Sequence, residues 1–360
     1  MQDRNRRFSI LRVFAGFGIV LLHTANVSEI LYRDSITPGQ TALSLGIVYC
    51  MMWAVPCFLM VSGALLLDPA RMITMEKLFS HYLKRVFLAL LVCSVFFRFF
   101  DMMMGEEGFY LMFVPDGVWQ MFHGTGWAHM WYLYLLIGLY LLLPFFRMIT
   151  AHSTDRELCY LLVVYAVFLS VFPLFRTIDA EIAFTLPTAG IYPFYFFAGY
   201  VLYKGKWKID RKAAFLMTVI ATGLIMMLTK SRYSGLSGDA ASFADGLIAS
   251  YSSPLIVIQS VGLFSLVCCG TAKEPSENKS AARGWLTEFI DLFDSCGFGI
   301  YLLHMVFLRL FLRYQGWNPF LMGMWSIFAI AFGVFLLTCA LVAVLRRIPF
   351  VMKNQDQCHS

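Results

Sequence analysis

Charge is scarce in this sequence. Asp, Glu, Lys and Arg together supply 14% of its 360 residues, against roughly a quarter in soluble domains. Paired cysteines are missing as well. The nine Cys (50, 57, 93, 159, 268, 269, 296, 339 and 358) contain no C-x-x-C spacing, and most lie in apolar runs where Cys packs as a small hydrophobe. No long Pro/Ser/Gly-rich linker divides the chain, and no internal repeat is evident. These absences exclude a disulfide scaffold, a cysteine metal site, a disordered chain and an ordinary cytosolic enzyme. What is abundant is apolar: 59% hydrophobic residues, 35 of them Phe and 20 Met. The net charge of +6 does not point to nucleic acid, because the basic residues fall in short clusters between apolar runs and so act as orientation signals.

A helix that crosses a bilayer needs about 20 mostly apolar residues. On that rule the sequence predicts an all-α integral membrane protein with about ten spans, near 8–27, 43–67, 83–104, 131–149, 158–175, 187–203, 213–229, 249–270, 292–312 and 321–345. The first follows Arg4, Arg6 and Arg7 like a signal peptide, but no small-x-small cleavage site follows it, so it is read as a retained span. With the N-terminus inside, the inner segments hold twenty Lys and Arg and the outer ones seven. That bias places both termini in the cytoplasm. Segment 271–288 is the most polar and reads as an exposed cytoplasmic connection. A single transmembrane domain over 1–350 and a short cytoplasmic tail over 351–360 are expected, so the chemistry is expected inside the bundle.

Ionisable groups within a span are costly and mark cavities or sites. The first span carries two, Arg12 and His23. Eleven steps of 100° come to three turns plus about 20°, so both project from one stripe, roughly 16 Å apart along the axis. Arg12 falls near the inner surface and His23 in the outer half, with Gly16 and Gly18 between them. An Arg at the inner mouth suits an anionic ligand, and an imidazole deeper in suits proton transfer. The plain alternatives are an Arg that snorkels to headgroups and a His capped by a carbonyl.

Four further stretches follow this pair in order: VPCFLMVSGALLL (55–67), HMWYLYLLIGLYLLLP (129–144), FYFFAGYVL (194–202) and SCGFGIYLLHMVFL (295–308). Together they resemble the acyltransferase-3 family of integral-membrane acyltransferases that modify bacterial surface glycans, over about residues 8–350. The resemblance implies a stand-alone O-acyltransferase of the cell membrane. It would carry an acetyl group from cytoplasmic acetyl-CoA to a hydroxyl of a surface polysaccharide or its lipid-linked precursor, with Arg12 and His23 as the essential pair. The chain departs from the family where Trp131 is followed by Tyr132 and Leu133 with no Glu, and where Tyr82, Lys84 and Arg85 stand in place of an R-x-x-R.

On this reading Arg12, Lys84 and Arg85 meet the donor's phosphates. His23 is the general base, Ser62 or Tyr301 stabilises the oxyanion, His304 lines the site, and Trp131 either contacts the acceptor or belongs to the aromatic belt. The expected partners are acyl-CoA, a glycan or lipid-linked sugar and the bilayer, with no nucleic acid. No metal is expected: His123 and His129, six apart, fit neither a helix pair nor common zinc spacing. The acidic outer segment 101–130, with Asp101, Glu106, Glu107 and Asp116, reads as solvated surface. A secondary transporter using the intramembrane Arg and His is the competing class.

Overall fold

The structure, a computed structural model, describes residues 2–105, 110–180, 182–186, 190–269, 284–323 and 325–347. Glu106, Glu107, the expected polar connection up to residue 283 and the expected tail over 351–360 lie outside them. The described residues form helices and connections, with no strand. The helices are α1 Gln2–Tyr32, α2 Pro38–Met51, α3 Ala54–Leu66, α4 Lys84–Met103, α5 Phe113–His123, α6 Trp131–His152, α7 Asp155–Ala166, α8 Tyr192–Tyr203, α9 Arg211–Tyr233, α10 Gly238–Ile248, α11 Pro254–Cys268, α12 Trp285–Leu308 and α13 Ser326–Leu345. Wide π-type turns run into α4 (Leu78–Leu83), out of α7 (Val167–Val171) and out of α12 (Arg309–Tyr314).

Local chemistry sets several of these starts. Thr37 and Gln40 form a reciprocal capping box with Pro38 in the first turn of α2. Thr154 and Glu157 do the same for α7. Each box satisfies backbone N–H groups that have no partner within their own helix.

Among the described residues eight helices are long and apolar enough to cross a membrane. This is a multi-pass, all-α membrane protein. Two of the ten expected spans are shorter helices: α8 has 12 residues and α11 has 15. Both begin with Pro in the first turn. In α8 every residue from Pro193 to Leu202 is buried, so its all-round apolarity is matched by protein packing on every side. The Phe run 194–197 therefore packs. In α11 the window counted as span 249–270 includes a serine-rich turn, where Ser253 Oγ accepts from the Ser250 N–H at 3.0 Å. The first helix, by contrast, is longer than expected, at 31 residues.

The chain divides into two compact units, residues 1–65 with 154–360, and residues 66–153. In the first, α1 and α12 run parallel in a fixed register. Arg6 donates to Thr287 Oγ1 at 2.8 Å at one end, and the Tyr32 hydroxyl donates to the Leu312 carbonyl at 2.8 Å at the other. Helix α2 returns along α1, with the Ser44 hydroxyl donating to the Ala25 carbonyl at 2.9 Å. Helices α3 and α8 cross backbone to backbone. A Cβ on Gly63 would overlap the Phe196 carbonyl oxygen, and one on Gly199 would overlap that of Met60.

The glycines of VPCFLMVSGALLL and FYFFAGYVL are thus explained by this close crossing. Gly63→Ala and Gly199→Ala are each expected to destabilise the protein by about 1–3 kcal/mol, because a carbonyl cannot swing aside as a side chain can. Gly138→Ala, where nothing lies within 4 Å of the added methyl, is expected to be neutral or stabilising by a few tenths to about 1 kcal/mol. Thermal unfolding of the three variants in detergent checks the contrast. Equal behaviour of all three would remove the crossing from the account.

In the second unit α5 lies against α4 with Gly117 over the Val95 backbone. The Arg147 guanidinium donates to the carbonyls of Leu66, Asp68 and Arg71, tying down the turn after α3. The acidic segment is not simply solvated surface. Asp101 accepts the Trp127 indole N–H at 2.8 Å. Asp116 accepts the Tyr110 hydroxyl at 2.7 Å and pairs with Arg98. The Tyr110 hydrogen bond, followed by those of Arg98, holds the Asp116 carboxyl below the usual carboxylate range. Arg98 and Asp116 are eighteen residues apart along the chain, so their pairing is not visible in the sequence.

Candidate active site

Arg12 and His23 of α1 both face α12. Arg12 Nε donates to Asp294 Oδ1 and Nη2 to Asp294 Oδ2, each at 2.6 Å. This is a bidentate pair of the stronger, charge-assisted kind. Ser9, one turn before Arg12, donates to Asp294 Oδ2 at 2.7 Å and receives Arg12 Nη2 at 3.3 Å. The Arg12 side chain remains 31% exposed and that of Asp294 17%. Since Asp294 and Ser9 occupy Nε and Nη2, the two N–H groups of Nη1 have no hydrogen-bond partner among the described residues.

Eleven residues further along α1, His23 meets His304, ten residues beyond Asp294. Their ring centroids lie 5.2 Å apart with the planes inclined at 40°. The expected same-stripe geometry is therefore realised against a single partner helix, whose spacing of ten residues nearly matches the eleven of α1. His304 is fully buried, and its Nδ1 is 3.0 Å from the Ile300 carbonyl. A carbonyl only accepts, so Nδ1 carries the hydrogen and the neutral ring keeps its lone pair on Nε2. The Tyr301 ring centre stands 6.3 Å from that of His304. Gly16 and Gly18 are not forced by packing, since an added Cβ at either would make only ordinary contacts.

The other expected site residues are distributed differently. Ser62 donates to the Phe58 carbonyl of its own helix at 2.9 Å. Lys84 and Arg85 are exposed at the start of α4, in the second unit. Trp131 begins α6, also in that unit, and lines a cavity there. The structure thus brings Arg12, His23, Tyr301 and His304 onto one helix seam in the first unit and leaves Ser62, Lys84, Arg85 and Trp131 off that seam.

Three further residues went unremarked as site candidates. Asp294 lies inside the expected span 292–312, the same signal that singled out Arg12. Arg346, counted only as an orientation charge, reaches toward α12 with Nη1 4.0 Å from Cys296 Sγ. Glu29 is buried and takes both Nε and Nη2 of Arg33 at 2.9 Å; it was hidden because α1 was expected to end as a span at residue 27. Arg6, through Thr287, and Arg346, through Cys296, reach α12 toward the same end as the Arg12–Asp294 pair. Among the described residues no group of three His, Cys, Asp or Glu is placed to hold a metal ion.

Compared with known families, residues 5–345 match one described as an acyltransferase domain. No curated protein and no solved structure matches the chain.

Proposed function

The chain belongs to the acyltransferase-3 family and is a membrane acyltransferase; from that premise we propose that it is an O-acetyltransferase of the cell membrane. It moves an acetyl group from cytoplasmic acetyl-CoA to a hydroxyl of a surface polysaccharide or its lipid-linked precursor. The observation that carries this reading is the seam between α1 and α12. It has a salt-bridged guanidinium with one free edge near one end and two facing imidazoles about 16 Å further along, at 1.5 Å per residue.

The residues divide the work by position. With the N-terminal end of α1 in the cytoplasm, as the Lys/Arg balance implies, the donor's phosphates meet the Nη1 edge of Arg12. Arg6 and Arg346 add charge there. The pantetheine arm then runs along the seam and brings the thioester to His23. A His23 nitrogen accepts the proton of the acceptor hydroxyl as that oxygen attacks the thioester carbonyl. The C–O bond forms, the C–S bond breaks, and the CoA thiolate leaves and recovers the proton from the imidazolium. The Nε2 lone pair of His304 steadies the charged His23 ring. Tyr301 is the better placed of the two oxyanion donors considered, because the hydroxyl of Ser62 is engaged within its own helix.

Purified protein in detergent is expected to release CoA thiol from acetyl-CoA. In the presence of a membrane extract that carries lipid-linked saccharides, it is expected to pass radiolabelled acetyl to them. Thiol release and label transfer that stay at the background of a protein-free control would sink the proposal. A carrier would show neither and would act only across a sealed membrane.

A further inference from the structure

The second unit holds a cavity of ≈ 240 Å³ between α4, α5, the 124–130 loop and the start of α6. We infer that it is a binding site for one neutral sugar ring, a subsite for the acceptor; this rests on the reading of the acceptor as a saccharide. One wall is a rigid aromatic platform. Phe97 and Trp127 stack at 4.1 Å with their planes 5° apart, and Trp131 extends the aromatic lining. Trp127 spends its only donor on Asp101, and the Tyr134 hydroxyl donates to the Met121 carbonyl at 2.5 Å. These rings are therefore held in place, and Trp127 can offer a ligand only its apolar surface.

Two non-aromatic polar side chains also line the cavity. The Ser94 hydroxyl and the Gln120 amide both border the cavity, and neither has a hydrogen-bond partner among the described residues. Ser94 is nonetheless buried. A hydroxyl and an amide that can bond into the cavity beside a fixed aromatic wall suit a ligand with donors and acceptors on one side and C–H groups on the other.

Among the described residues no Asp, Glu, Lys, Arg or His lines the cavity, so a charged ligand would be desolvated there without compensation. The volume is also below the roughly 300–1,000 Å³ of sites for drug-sized ligands, too small for the nucleotide of the donor. A single pyranose meets all three conditions: it is neutral, it is small, and it has hydroxyls around its edge and C–H groups on its faces.

Saturation-transfer NMR on the full-length protein in detergent, without donor, tests the site. The probes are glucose, galactose and N-acetylglucosamine, with glucuronate as the charged comparison. At least one neutral sugar is expected to bind in the millimolar range and glucuronate is not. Gln120→Ala and Ser94→Ala are each expected to weaken that binding about 3–10-fold, the loss of one hydrogen bond, with thermal stability retained. Silence from all three neutral sugars, equal binding of glucuronate, or signals unchanged in both variants would overturn the assignment. The two readings fail separately. Acetyl transfer to a glycan without sugar binding here removes the site alone, whereas sugar binding in a protein that never consumes acetyl-CoA removes the acetyltransferase reading alone.

Discussion

Replacing His23 by Ala is expected to lower acetyl transfer by about 10²–10⁴-fold, the usual contribution of a positioned general base, in protein that still inserts and purifies normally. The expectation follows from where the ring sits. His23 is on the stripe of α1 that faces α12, beside a second imidazole whose tautomer is set by the Ile300 carbonyl. Removing it leaves no other described titratable group at that level of α1, since Thr24 and Ser28 spend their hydroxyls on the carbonyls of Val20 and Thr24.

His304→Gln tests the partner. The amide keeps a hydrogen-bonding side chain without a group that titrates near neutral pH, so a smaller loss of about 10-fold is expected if His304 supports His23 rather than acting as the base. Rates with acetyl-CoA and a glycan acceptor, normalised to folded protein, decide between the two. Full turnover in His23→Ala would remove His23 from the mechanism. A larger loss in His304→Gln than in His23→Ala would exchange their roles.

The second large effect concerns Asp294. Its carboxylate holds two nitrogens of the Arg12 guanidinium and leaves the third for the donor, so Asp294 is a positioning residue for Arg12. Asp294→Asn keeps the shape but loses the charge. It is expected to raise KM for acetyl-CoA about 10-fold or more, the scale of a misplaced charge-assisted hydrogen bond. Acetyl-pantetheine, which lacks the donor's phosphates, should show no such change in KM. A purely structural role would depress both donors alike, so the ratio of the two KM values is the measurement that matters. Loss of the pair also leaves a partly buried cation uncompensated, at a cost to stability of about 1–3 kcal/mol. The exchanged pair, Arg12→Asp with Asp294→Arg, is expected to recover most of that stability without recovering KM. If the exchange restored both, the guanidinium would not be the group that reads the phosphates.

Much of this site was legible before any coordinates because its cost is written in residue type. An Arg and a His inside a 20-residue apolar run stand out, and helical geometry alone puts positions 12 and 23 on one stripe. The partner helix was legible only in part. His304 was found through its family-like segment, whereas Asp294 was passed over although it lies inside an expected span. The reason is physical: side chains that meet across a helix seam are set by three-dimensional register, and residues 12 and 294 are neighbours only once α1 and α12 pack parallel.

The fold shows the same division. Long helices such as α9 and α13 could be read from apolarity and length. The helices α8 and α11 could be read as apolar runs over 187–203 and 249–270, but not their lengths of 12 and 15 residues, because apolarity alone does not mark where a helix begins. The glycines at 63 and 199 were visible as motif residues, but their purpose is a backbone crossing that no linear pattern encodes.

Two rods laid side by side in the same direction act as a gauge, and α1 and α12 are such a pair. The rungs between them, Arg6 with Thr287, Arg12 with Asp294, His23 with His304 and Tyr32 with Leu312, climb both helices at nearly equal steps. One residue added to α1 between positions 12 and 23 would turn everything beyond it by about 100° and lift it by about 1.5 Å, sending the imidazole away from its neighbour while the guanidinium kept its own. The tract from 12 to 23 and its counterpart from 294 to 304 can therefore change length only in concert, whereas the connections outside them are free to grow or shrink.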